Sequence, residues 1–386
     1  MQTKAGGPNS WVRVTILSLS AVVVMCALSA CGSSSSSSGS SSNAKFVADT
    51  GNPKKCSSLG LFTWEGEAPA SVLKPFEKEY GVPVKVSYIT SGAQALAKMA
   101  AGGTRQYAII FAAPETTQPM QEAGVIKPID TSKFTEYAKL FKFSTKTFEY
   151  GGKTYALSED WGVNPLIYNT QVIKTPPTSW ADLWKPEYKG QVALWEDYSM
   201  LWIGAAALGY DKDPSQLFHL SSSQLTAIKN KMLELKGNVR TVWNSGGNLI
   251  QLFSTHEVAA AQGWSYVYNQ LTEKHQPVAL AKVADMGAQG WTEGASISSG
   301  VSPDCEAAAY AFLNWTVSPK GAAALAESSG YSPSNPEAAK HLSPALIKTL
   351  GLDNPQAFLG SAIFKQAVSN PSAYNQTMQE VIAGLK

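Results

Sequence analysis

The chain reads as an α/β protein large enough for two lobes. Short apolar runs of strand length alternate with helical spacings and glycine stops through its first third, and the same alternation restarts after Lys153. Size agrees: 386 residues, 44% hydrophobic and 16% charged, supply apolar material for one large or two medium cores. Residues 59–64 form an apolar run suited to a buried strand, and 68–80 have helical spacing that ends at Gly81. Residues 82–89 alternate as a strand, 91–101 spell a helix that stops at Gly102 and Gly103, and 107–112 form another strand. This rhythm predicts a parallel sheet, with ligands beyond the carboxyl ends of its strands. After Lys153 come strands at 165–168 and 191–195, a helix near 225–235, a strand at 239–243, a helix around 248–254 and a strand at 258–262. Further helices follow Asp304 and lead to the C-terminus, and no internal repeat occurs.

The N-terminus reads as a processing signal. A polar start with Lys4 and Arg13 precedes an apolar run over 14–28, then Ser29, Ala30 and Cys31. The run falls short of the roughly 20 residues that span a bilayer. Leu28, Ser29, Ala30 and Cys31 resemble a bacterial lipobox, which implies a lipoprotein signal peptide over 1–30 and a lipid anchor on Cys31 at the cell membrane; the alternative is an ordinary secretory signal with an incidental cysteine. Residues 31–55 then read as a flexible tether, because 32–42 are almost pure serine and glycine. Cys56 and Cys305 are the two cysteines outside this region, and in an exported protein leftover thiols are more often paired than not, so a disulfide between them is expected.

The formal charge of +2 rests on Lys4 and Arg13; without the first thirty residues, which hold no acid, it is zero, so no nucleic-acid partner is indicated. Arginine occurs only at 13, 105 and 240, too sparsely for the bidentate clamps that anion binders favour. No G-x-S-x-G, G-x-G-x-x-G, P-loop or C-x-x-C is present, and His256-Glu257 meets Ala260 where a zinc protease needs histidine.

Several phrases resemble the polyamine-binding (spermidine/putrescine) branch of the type II periplasmic binding proteins, and they occur in the same order. They are Thr63-Trp64-Glu65, residues 155–157 with Trp161-Gly162, the block 178–190, residues 207–210, Trp264 after a strand, residues 290–293, 311–314 and 330–335. The set covers nearly the whole chain after Cys31, and 178–190 is its most specific piece. The resemblance implies two α/β lobes around a central cleft, joined by strands crossing near 156–162 and 290–295, with a return near 338–343. Lobe 1 would hold 56–159 and 294–340, and lobe 2 would hold 160–293 and 341–386. It implies a monomeric, noncatalytic solute-binding component of an ABC importer, without cofactor or metal, that delivers a small amine to a membrane permease.

A polyamine needs carboxylates for its ammonium groups and aromatic faces along its methylenes, which also attract the cation by about 0.5 to 2 kcal/mol each. The family's carboxylate positions fall on Glu65, Asp197 and Glu293 and its aromatic walls on Trp264, Trp291 and Tyr331, with Trp64 beside the first acid. Glu67 is assigned to solvent. Three positions and one segment depart from the pattern: Gly66 replaces a tyrosine, Met200 a second carboxylate and Phe364 a glutamine, while the segment 111–115 reads differently, with Glu115 an acid at the cleft rim. These departures point to a smaller diamine or a related amine. The alternatives are the same fold binding ferric iron through Tyr266 and Tyr268, or an organic anion; a glycosidase using paired carboxylates; and a structural surface lipoprotein.

Overall fold

The computed structural model describes residues 52–283, 288–359 and 362–386. The signal peptide, Cys31 and all but the last four residues of the tether lie outside the described residues. In chain order the principal strands are β1 (Leu59–Thr63), β2 (Val84–Tyr88), β3 (Ile109–Ala112), β4 (Ile126–Lys127), β5 (Leu157–Asn164), β6 (Leu166–Asn169), β7 (Val192–Trp195), β8 (Val239–Trp243), β9 (Ala260–Gln262), β10 (Val278–Leu280), β11 (Ala288–Ser298), β12 (Ser332–Pro333) and β13 (Ala362–Phe364).

They build two mixed sheets. The larger runs β12-β5-β11-β3-β1-β2, with β13 and β4 pairing with opposite ends of β11; the smaller runs β8-β7-β9-β6-β10. The parallel sheet expected from the alternation holds for β1 with β2 and β3, and for β7 with β8 and β9. It fails at β11, which lies antiparallel to β3, β4 and β5, because β11 returns from the other sheet and enters from the opposite end. The central strands β1 and β3 are almost wholly buried and read as continuous apolar runs, whereas the edge strand β2 is half exposed and alternates.

The flanking helices start and stop where the sequence has caps. Ser91 accepts a hydrogen bond from the Gln94 N–H at the start of Gly92–Ala100, and Gly81, at φ 68°, ends Ala70–Tyr80 in the left-handed conformation that only glycine adopts cheaply. The conspicuous block 178–190 forms two short 3-10 turns, Trp180–Trp184 and Pro186–Tyr188, that bury Trp180, Leu183 and Tyr188 in the core behind the smaller sheet.

The chain passes from the larger to the smaller sheet where β5 continues through Pro165 into β6, and it returns between β10 and β11. A buried bond from Gln262 Nε2 to Gln289 Oε1, 2.6 Å, ties β9 to the start of β11. The last passage corrects the expected return near 338–343. Leu342 and Leu350 pack with Ala322, Ala323 and Ala326 of helix Pro319–Ser329, so residues 341–352 stay with the first lobe, and β13 pairs with β11 while its Ile363 touches the second lobe's core. Only after Lys365 does helix Pro371–Leu385 join the second lobe's core through Tyr374, Met378 and Val381. A run of short, proline-started helices carries no mark of which lobe it belongs to.

Cys56 and Cys305 form a disulfide across a sequence separation of 249. It clips the turn Pro53–Lys55 to the first turn of helix Pro303–Thr316, whose buried face runs through the first lobe's core.

Candidate functional site

A cavity of about 430 Å³ opens between the two sheets, lined from both lobes. Its floor is the paired stretch of β5 and β11. Glu293 sits opposite Asp160 and Trp291 opposite Gly162, so the three side chains Asp160, Trp291 and Glu293 project from one face of the sheet. Gly162 is required there, since a Cβ at that position would come within 2.6 Å of the Trp291 ring. The loop after β1 overhangs this floor: Trp64 donates its indole N–H to Glu293 Oε1 at 3.2 Å, and Glu67 turns inward, only 3% exposed. Tyr331 meets Trp291 edge to face, with ring centres 4.7 Å apart. From the other lobe, Trp195 at the end of β7 and Trp264 after β9 each lie about 6 Å from Trp64, in edge-to-face contact across the cleft.

The acids are held out of water. Burial raises the pKa of Glu67 well above the ordinary carboxylate value, and the charges of Asp160 and Glu293 add to it. Burial also raises Glu293, again with help from Asp160. Asp160 is pushed up to about 7 by burial, with Glu67 pulling it part-way back. Asp160 and Glu67 share a side-chain hydrogen bond, no other residue donates to the Asp160 oxygens or to Glu67 Oε2, and both side-chain polar atoms of Asn164 lack a hydrogen-bond partner among the described residues. Buried polar atoms are ordinarily paired, so this cluster is an incomplete polar site. Glu159, beside it on β5, is different: its Oε1 accepts the Thr316 hydroxyl at 2.8 Å on the far side of the sheet.

At the other end sits Lys365, which no sequence argument had placed. Its ammonium lies 2.6 Å from Asp197 Oδ1 and 3.8 Å from Glu115 Oε1, and 4.5 Å from the centre of the Trp195 ring. Asp197 Oδ1 also accepts the Ser199 N–H at 2.9 Å. Burial pushes Glu115 up to about 7 against the opposing pull of Lys365.

The cavity therefore brings together Trp64, Asp197, Trp264, Trp291, Glu293 and Tyr331. Glu65 is not on its wall. Its Oε2 instead accepts the Gly247 N–H at 2.7 Å, answering the unpaired donors at the start of helix Gly246–Ser254 in the opposite lobe. The solvent role expected for Glu67 is likewise reversed. Between them Gly66 has φ +99°, where a Cβ would collide with the Tyr266 ring at 2.9 Å; the turn sends the second acid, not the first, into the cleft. Met200 is fully buried in the second lobe's core, so no side chain there replaces the missing carboxylate. Phe364 packs toward Phe143, and it is the next residue, Lys365, that enters the cavity. Asp160 was missed too, although Glu159 and Asp160 are two acids inside a buried strand. Among the described residues no group of three or more His, Cys, Asp or Glu has the geometry to hold a metal ion, and no helix is long and apolar enough to cross a membrane.

This arrangement, two mixed sheets joined by crossing strands with a cleft between, agrees with what the sequence resembles. The family described as bacterial extracellular solute-binding protein matches residues 71–352. The chain belongs to that family. Among similar proteins, the spermidine/putrescine-binding periplasmic protein of Escherichia coli is 26% identical over 299 residues, 76% of this chain and 83% of that one. A protein named spermidine/putrescine-binding periplasmic protein 1 from Haemophilus influenzae is 28% identical over 285 residues, 73% of this chain and 76% of that one. Of solved structures, the spermidine/putrescine substrate-binding protein PotD of Streptococcus pneumoniae superposes with a TM-score of 0.67 at 21% identity, covering 85% of this chain and 99% of that one. MotA of A. tumefaciens, solved with glucopine, has the same TM-score at 20% identity, covering 85% and 98%. At these identities the superpositions show the fold.

Proposed function

We propose that the protein is the noncatalytic solute-binding component of an ABC importer, capturing a small amine of the polyamine kind and passing it to a membrane permease. One observation carries the reading. Glu67 and Glu293 line the cavity with Asp160 buried beside them, flanked by Trp64, Trp291 and Tyr331, and no basic group among the described residues forms an ion pair with the three acids. Buried carboxylates are costly unless a cation meets them, and indole and phenol faces add attraction for the same cation while packing against its methylenes. The names of the E. coli and H. influenzae relatives support the same class of solute. Trp64, Asp197, Trp264, Trp291, Glu293 and Tyr331 are proposed site residues, to which Glu67, Asp160 and Asn164 are added; Glu65 is proposed to hold the lobes together. Cys31 is proposed to anchor the chain, as a monomer, to the outer face of the cell membrane.

Isothermal titration with putrescine, N-acetylputrescine, spermidine and agmatine tests the reading. Saturable binding of at least one is expected; no heat from any of them at micromolar protein would overturn it.

A further inference from the structure

The cleft offers carboxylates at two ends, but the ends differ in what they already hold. We infer that Lys365 fills one cation subsite with the protein's own ammonium, leaving a single ammonium subsite for the solute at Glu67 and Glu293, with Asp160 buried beside them. This rests on the amine reading above and narrows it to a class: amines charged at one end and neutral at the other.

The surroundings of Lys365 Nζ are those a bound ammonium requires. Two carboxylates, Asp197 and Glu115, lie at 2.6 and 3.8 Å, and two aromatic faces, Trp195 and Tyr198, at 4.5 and 5.2 Å from their ring centres. Lysine is rarely buried unless paired, and this residue is only 4% exposed. It is held from its backbone as well, since its N–H donates to the Gly290 carbonyl at 2.8 Å on β11, next to Trp291. At the opposite end no lysine, arginine or histidine among the described residues forms an ion pair with Glu67, Asp160 or Glu293. The Asp197 end thus holds a cation of the protein's own, with Glu115 Oε2 left unpaired there, whereas the other end is paired with none and feels Lys365 only at a distance, at Glu293.

A long triamine reaching the Asp197 end must displace Lys365 or set two cations against each other. A carboxylate there gains Lys365 but meets Asp197 and Glu115. A neutral tail meets neither problem, and it finds apolar wall at Leu96, Val368 and Met378.

The test compares N-acetylputrescine, putrescine and spermidine by isothermal titration against the native protein and Lys365→Met, which keeps the side chain's length and removes its charge. Native protein is expected to bind N-acetylputrescine at least tenfold more tightly than spermidine. Lys365→Met is expected to gain at least tenfold for spermidine, and the gain is expected to vanish in Lys365→Met/Asp197→Asn. Native protein that prefers spermidine to N-acetylputrescine overturns the inference while leaving the amine reading standing, and needs no variant. So does a folded Lys365→Met that keeps the native ranking. If no amine binds either protein, the amine reading itself fails and takes this inference with it.

Discussion

Acidification is the perturbation that separates a buried acid cluster from an ordinary surface one. Burial disfavours the charge of Asp160 and pushes it up to about 7, and it displaces Glu67 and Glu293 in the same direction. An ammonium arriving beside them favours the ionised form, so binding must expel a proton whenever the site starts protonated. With one proton released from a group at about 7, the ionised fraction falls from about 0.76 at pH 7.5 to about 0.03 at pH 5.5, a loss of about 25-fold in affinity or about 2 kcal/mol. The stability of the empty protein runs the other way. A carboxyl whose folded pKa is raised from 3.8 to about 7 contributes stability that is complete below pH 3.8 and is lost as pH rises through 7. The amine should therefore raise the melting temperature more at pH 8 than at pH 5.5. The assay is isothermal titration at constant ionic strength at pH 5.5, 6.5 and 7.5, in two buffers of unequal ionisation enthalpy. A heat that depends on the buffer and a Kd that weakens on acidification are expected. A Kd flat across that range, with buffer-independent heat, would refute the argument.

Glu67→Ala should weaken amine binding as much as Glu293→Ala does, by at least tenfold each in a titration, since loss of one partner of a buried ion pair typically costs about 2–5 kcal/mol. Glu65→Ala should cost only about 1 kcal/mol of affinity, because it removes a helix-start bond between the lobes. It should leave the ranking among amines unchanged in the same titrations. The Cys56→Ala/Cys305→Ala protein should melt lower in a thermal scan by an amount equivalent to about 2–4 kcal/mol, with the chain-entropy ceiling for so long a closed loop at about 5 kcal/mol. Its amine affinity at 10 °C should be unchanged.

Much of the architecture was legible because it is written in periods and stops. The apolar run at β1, the helix ended by Gly81 and the serine-capped helix at 92–100 each carry a local signal. Strand direction carries none: the pattern of β11 is the same read either way, so its antiparallel course awaited the sheet. At the cleft the errors are errors of parity. Neighbouring residues of an extended segment face opposite sides, so a shift of one position exchanges wall for core. That is how attention fell on Phe364 and not on Lys365. At Glu65 and Glu67 the positive φ of Gly66 does the exchanging, and a glycine between two acids was the available clue.

The Cys56–Cys305 bond also decides how a force on the leading end of the described chain would be carried. A pull arriving along the chain at residue 52 reaches Cys56 before β1 begins, and the bond passes it sideways to helix Pro303–Thr316. The load therefore bypasses the strand that would otherwise be peeled from its sheet. Both anchorage points lie in one half of the body, whereas the terminal helix Pro371–Leu385 lies in the other. A load applied at residue 52 is therefore carried by the half that holds β1, and reaches the half that holds Trp195 and Trp264 only through the strands and contacts that join the two.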